Sequence, residues 1–158
     1  GEDIVNRETV NALQQGGGIL HYIGHSSLVR YGRRGNLLTA DEIAAMDNLN
    51  KPMLMVSMSC SSASFGYPPL NGIGESAVLK EGGAAVGFFG ATGLSYNYLA
   101  DIMSDGFYSS LHDPTVVKIG DAVLQAKQHY AEQKAQRYVL DIYNLLGDPA
   151  ALVPVARD

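Results

Sequence analysis

The feature that most constrains this chain is the run Met53-Leu54-Met55-Val56-Ser57-Met58, where one serine is the only polar residue. A strand with one wet face alternates apolar and polar residues. A strand without alternation is covered on both faces, as in parallel sheets sandwiched between helices. The rest of the chain must then supply neighbouring strands and two layers of helix. Ile19-Leu20-His21-Tyr22-Ile23 and Ala84-Ala85-Val86-Gly87-Phe88-Phe89 are two more short runs of strand formers. Helical patterns cover residues 3–15, stopped by Gly16-Gly17-Gly18, and residues 75–80, closed by Gly82-Gly83. Thr39, with Glu42 three residues later, reads as a capping box. The helix it opens carries Ile43, Met46 and Leu49, and Pro52 separates it from the central run. Residues 98–111 and 117–134 read as two further helices, residues 138–146 as one more helical segment, and residues 151–155 as a last strand. This order predicts an α/β fold with a mostly parallel sheet and helices on both faces.

The bulk composition agrees. A chain of 158 residues is the size of one domain and can bury a sizeable core. With 46% hydrophobic and 17% charged residues it is globular in type. A net charge of −5 without a basic run leaves no electrostatic footprint for nucleic acid. No apolar stretch reaches membrane-spanning length. The single cysteine, Cys60, cannot form an internal disulfide. No leader is visible, and Gly1 is not expected to be a native start.

In parallel sheets, ligands bind outside the carboxyl ends of the strands. Three loops leave those ends, at residues 24–27, 59–64 and 90–97. The first carries His25 and the second Cys60. Neighbouring strands lie about 4.8 Å apart, so adjacent strands would bring imidazole and thiol to one edge. A thiolate is a nucleophile, and a nearby imidazole makes it available near neutral pH. The histidine can later protonate a leaving amine. Packing is the alternative, because free cysteines are among the most buried residues. Cys60, however, lies just past the apolar run, among serines. Position alone leaves both readings open. His21, inside its strand, reads as structural, and His112 and His129 as surface or packing residues. Other chemistries lack their motifs. There is no zinc spacing, no Walker loop and no Gly-x-Ser-x-Gly elbow. The triple glycine precedes a strand, whereas a dinucleotide fingerprint follows one. Ser59, Ser61 and Ser62 read as loop formers or polar lining.

Four segments, in order, resemble the gingipain family of caspase-like cysteine peptidases. They are Ile19 through Ser27 around His25, Val56-Ser57-Met58-Ser59-Cys60 with Phe65, Gly74-Glu75-Ser76-Ala77 with Gly83 through Gly93, and Tyr143-Asn144-Leu145-Leu146-Gly147-Asp148-Pro149. The resemblance implies a caspase-like three-layer sandwich and a cysteine endopeptidase with His25 and Cys60 as a dyad. A thioester acyl-enzyme intermediate follows from it. It also implies an oxyanion hole made by the backbone N–H groups of Ser26 and Cys60. Ser59, Thr92, Gly93, Tyr96 and Asn97 would line the substrate pocket. Members often prefer arginine or lysine before the cut, and many are secreted, calcium-containing and made as zymogens. The expectations are therefore a protein or peptide substrate and a secreted or cell-surface place in a bacterium. No cofactor is required and no site residue is a metal ligand, while a structural calcium is allowed. Two positions depart from the family pattern: Ser26 replaces a usual glycine, and Ser61-Ser62 follow the cysteine where small residues ending in glycine are common. The strands that usually precede the histidine strand are also not expected in residues 1–158, which read as a single catalytic subdomain of a larger chain. The N-terminal half of its own domain is then its expected partner. The alternatives are a weak or dead caspase-like interaction module, motivated by Ser26, a transpeptidase of a bacterial secretion system, and a small-molecule α/β hydrolase or binding domain.

Overall fold

A computed structural model describes residues 2–48, 51 and 53–155. Helix α1 (Glu2–Gln15) leads through positive-φ glycines 16–18 into β1 (Ile19–Gly24). A short antiparallel pair, β2 (Arg30–Tyr31) and β3 (Leu38–Thr39), comes next. Helix α2 (Ala40–Ala44) follows, then β4 (Met53–Ser59), α3 (Ile73–Leu79) and β5 (Ala85–Ala91). Helices α4 (Asn97–Ser110), α5 (Ile119–Glu132) and α6 (Tyr138–Ile142) lead to β6 (Tyr143–Gly147).

The main sheet has the order β1-β4-β5-β6. The first three strands are parallel, and β6 joins the β5 edge antiparallel. Every residue of β4 is buried. Its side chains divide by parity between two cores, as the pleat requires. Leu54, Val56 and Met58 pack with Phe89, Leu99, Met103, Phe107, Ile119 and Val123 on the α4–α5 side. Met53 and Met55 pack with Phe88, Leu13, Leu38, Ile43, Ile73 and Ala77 on the other. Each fully buried side chain of this size contributes roughly 1.5–3 kcal/mol against exposure, so the two cores fix the sheet between its helix layers.

The predicted capping box is present. Thr39 Oγ1 accepts from the Glu42 N–H at 3.2 Å, and Glu42 accepts from the Thr39 N–H at 2.8 Å. The helix it opens is shorter than predicted, closing at Ala44. Met46 is buried beyond its end, where its N–H bonds to Ile43 C=O at 3.1 Å and tightens the last turn. Leu49 and Pro52 lie outside the described residues. Two expectations need correction. Residues 138–146 are not one helical segment: only Tyr138–Ile142 is helical, and Tyr143–Gly147 is the edge strand β6. Pairing with β5 over five register positions outweighs the local helical pattern. Residues 151–155 do not join the sheet; Leu152 makes an isolated bridge to Lys118. The β2–β3 pair was not read from the sequence, because two-residue strands carry no periodicity.

Candidate active site

The β1–β4 ladder ends on the register pair Gly24–Ser59. The next residues are His25 and Cys60, so the two leave adjacent parallel strands at the same edge. His25 is exposed and Cys60 half-buried. The histidine loop is held through its backbone. The His25 C=O accepts from the Tyr22 hydroxyl at 2.6 Å and from the Gly32 N–H at 2.9 Å. Tyr22 in turn stacks on buried Tyr31 with ring centroids 4.0 Å apart. Ser26 faces Tyr31 across an antiparallel bridge, and its hydroxyl donates to the Cys60 C=O.

The cysteine loop is joined to the exit of β5. Ser61 N–H donates to Gly93 C=O at 2.9 Å, Ala63 N–H to Ala91 C=O at 3.0 Å, and Ser64 Oγ to Thr92 C=O at 2.7 Å. Ser61 sits in the left-handed region at φ 54°, whereas Ser26 does not. The Cβ of Ser26 therefore imposes none of the backbone strain that a replaced glycine can bring. Cys60 Sγ donates to the Ser95 C=O at 3.3 Å and accepts from the Ser95 N–H at 3.4 Å.

Of the residues expected to line the pocket, Ser59 is buried at 2% exposure. Its hydroxyl meets those of Ser57 at 2.7 Å and Ser62 at 3.2 Å, a closed cluster beneath the cysteine loop. Thr92 Oγ1 donates to Ile142 C=O at 3.0 Å, and Gly93 holds Ser61 through its carbonyl. Tyr96 is exposed and stacks on Tyr98 at 6.0 Å, and Asn97 opens α4. Among these, Thr92 and Gly93 brace loops, while Tyr96 and Asn97 present surface. His21 stacks on Tyr108 at 5.1 Å; burial lowers its pKa, and the charge of Asp101 opposes that.

Sequence reasoning missed three residues around the thiol. Ser95 lay in the right loop but had no signal of its own, because it holds Cys60 through backbone atoms. Tyr143 was hidden by the helical reading of its segment. Its buried hydroxyl pairs with Ser95 Oγ at 2.9 Å. Burial pushes its pKa up to about 12, with the Ser95 bond opposing and the charge of Cys60 adding. The Tyr138 hydroxyl is buried without a hydrogen-bond partner among the described residues. Burial raises its pKa, with smaller contributions from Tyr96, Tyr98 and Cys60. Among the described residues, no group of three or more His, Cys, Asp or Glu side chains could hold a metal ion. No step below runs through a metal.

A family model described as Peptidase family C25 matches residues 1–154. No curated protein matches the chain. Among solved structures, a complex of Porphyromonas gingivalis RgpB pro- and mature domains superposes with a TM-score of 0.83 at 18% identity. The match covers 94% of this chain and 37% of that one. The Arg-specific cysteine proteinase gingipain R (RgpB) gives 0.77 at 18% identity over 94% and 36%. A third structure, titled only as a protease, gives 0.80 at 18% identity over 91% and 37%. The fold is thus gingipain-like and caspase-like, and the chain spans little more than a third of the length of these structures.

Proposed function

Because the chain belongs to peptidase family C25, a family of cysteine peptidases, we propose that it carries the nucleophile and base of an endopeptidase, Cys60 and His25. The observation that carries this reading is the Gly24–Ser59 register pair, after which the two residues leave neighbouring strands. His25 takes the thiol proton, and Cys60 Sγ attacks the scissile carbonyl carbon. The oxyanion that forms accepts from the backbone N–H groups of Ser26 and Cys60. As it collapses, the C–N bond breaks and the leaving amine takes the proton from His25. The thioester is then hydrolysed by a water that His25 deprotonates, which frees the acid and returns the thiol. Pocket residues in this reading are Tyr96 and Asn97, with Ser59, Thr92 and Gly93 behind them.

The outer edge of β1 pairs with no strand among the described residues, and Ile23 beside it is 48% exposed. An open edge with an apolar side chain is a template for further strands. This supports residues 1–158 as one part of a larger caspase-like domain whose other strands pair there. Synthesis as a zymogen, and release from or display on a bacterial cell, belong to the same proposal.

The test is labelling of the full-length protein with a thiol-reactive peptidyl probe at neutral pH. Cys60→Ala should abolish labelling, and His25→Ala should slow it by about 10²–10⁴-fold, the usual share of a general base. Equal labelling of wild type and His25→Ala would remove the dyad from consideration.

A further inference from the structure

We propose that the Ser26 side chain is a positioning residue for the nucleophile, a role that rests on the dyad reading above. Past Gly24 and Ser59 the backbone ladder no longer joins the two loops. The histidine side turns back on itself through the Ser26–Tyr31 bridge, and the cysteine side enters its own turn. The Ser26 hydroxyl donates to the Cys60 C=O across that gap. It adds one rung, made by a side chain, where the strands have stopped pairing.

The other end of the same peptide unit is held as well. Ser61 N–H donates to Gly93 C=O at 2.9 Å. The Cys60–Ser61 peptide is thus gripped from the histidine loop on one side and from the β5 exit on the other. A peptide is planar, so fixing both its C=O and its N–H fixes ψ of Cys60 and φ of Ser61. That φ is 54°, a conformation serine leaves readily unless the surroundings hold it. Held there, the Cα–Cβ bond of Cys60 has one direction, and the thiol is aimed before substrate arrives.

The clamp leaves the Ser26 backbone free. The turn is closed by Ser27 N–H to Arg30 C=O at 3.0 Å and Gly32 N–H to His25 C=O at 2.9 Å. Between such bonds, the N–H of Ser26 points away from the opposing segment. One residue then offers its N–H to an oxyanion while its hydroxyl orients the nucleophile. A glycine at this position could supply only the first.

The experiment uses full-length protein as wild type, Ser26→Ala, Ser26→Gly, Ser26→Thr and Cys60→Ala. Competent sites are counted with the irreversible probe, so that kcat refers to folded sites only. Ser26→Ala and Ser26→Gly should each lower kcat by about ten-fold, the equivalent of one net hydrogen bond, with KM changed by less than about two-fold. Ser26→Thr keeps the hydroxyl and should recover most of the rate. A purely structural role would reduce the number of titrated sites and leave kcat per site unchanged. Wild-type kcat per site in Ser26→Ala overturns the clamp, as does Ser26→Thr falling as far as Ser26→Ala; the dyad survives either result if Cys60→Ala is inactive. Full activity in Cys60→Ala overturns both.

Discussion

At the residue scale, the backbone beside the nucleophile is the most exacting position. Ser61 holds φ 54° one residue after Cys60, and its amide is bonded to Gly93. For an L-residue this conformation costs roughly 1–2 kcal/mol, and a β-branched side chain tolerates it worst. Ser61→Val should therefore lower the unfolding free energy by about 1–2 kcal/mol relative to Ser61→Gly, which removes the Cβ altogether. Urea denaturation of the two variants measures the difference, and equal midpoints would mean that the loop relaxes. The sequence showed a run of small residues here but not their dihedral angles, because small residues fit many turns equally well. Ser26 is the converse case. As a sequence departure it motivated a dead site, whereas its φ lies outside the left-handed region and its hydroxyl reaches Cys60.

At the element scale, helices α4 and α5 cross where Gly106 meets Ala126. A Cβ built on Gly106 would lie 3.0 Å from both Cα and the carbonyl oxygen of Ala126 and 2.8 Å from Cβ of His129. In an open helix, glycine to alanine gains about 1 kcal/mol of helix propensity. Here the obstacle is largely backbone, which cannot rotate away, and overpacking of this kind costs about 1–3 kcal/mol. Gly106→Ala should thus be destabilising, by about 1 kcal/mol net or more. A thermal melt followed by far-UV circular dichroism checks the sign, and a raised midpoint would show that the two helices can separate cheaply. The capping box of α2 was legible to the residue, because its two side chains lie three positions apart and bond locally. The strand β6 was not. Its residues become a strand only because β5 offers an unpaired edge, and that edge is remote in sequence.

At the scale of the whole molecule, buried tyrosines tie both cores to pH. Tyr31 and Tyr143 are almost wholly buried on opposite sides of the sheet. Burial raises the pKa of each phenol, that of Tyr143 up to about 12 and that of Tyr31 further. A folded pKa above the unfolded value near 10 means that the neutral phenol is favoured by folding. Its stabilisation is complete below about pH 10 and is lost as pH rises toward 12. For Tyr143 the total is about 2–3 kcal/mol, from 1.36 kcal/mol per unit. Thermal midpoints should therefore fall steeply from pH 9.5 to pH 11.5 (values chosen to span roughly that window), and Tyr143→Phe should flatten part of the fall. An unchanged slope in that variant would exclude Tyr143 as a contributor.

The sequence by itself determined the layers. A short apolar run with no alternation, bounded by turn residues, reads as a strand buried on both faces, so β4, its parallel neighbours and a helix layer on each side followed from local pattern. It also determined which loops carry His25 and Cys60, since the residues that end a strand are adjacent to it in the chain. Only the tertiary structure decided strand adjacency and register, which depend on which faces pack together across the chain. It alone brought Gly24 opposite Ser59, joined the cysteine loop to the β5 exit, and set Ser95, Tyr143 and the Ser26 hydroxyl around Cys60. Those contacts join residues 34 to 48 positions apart. No local propensity encodes such a contact, because its energy exists only once the sheet has formed.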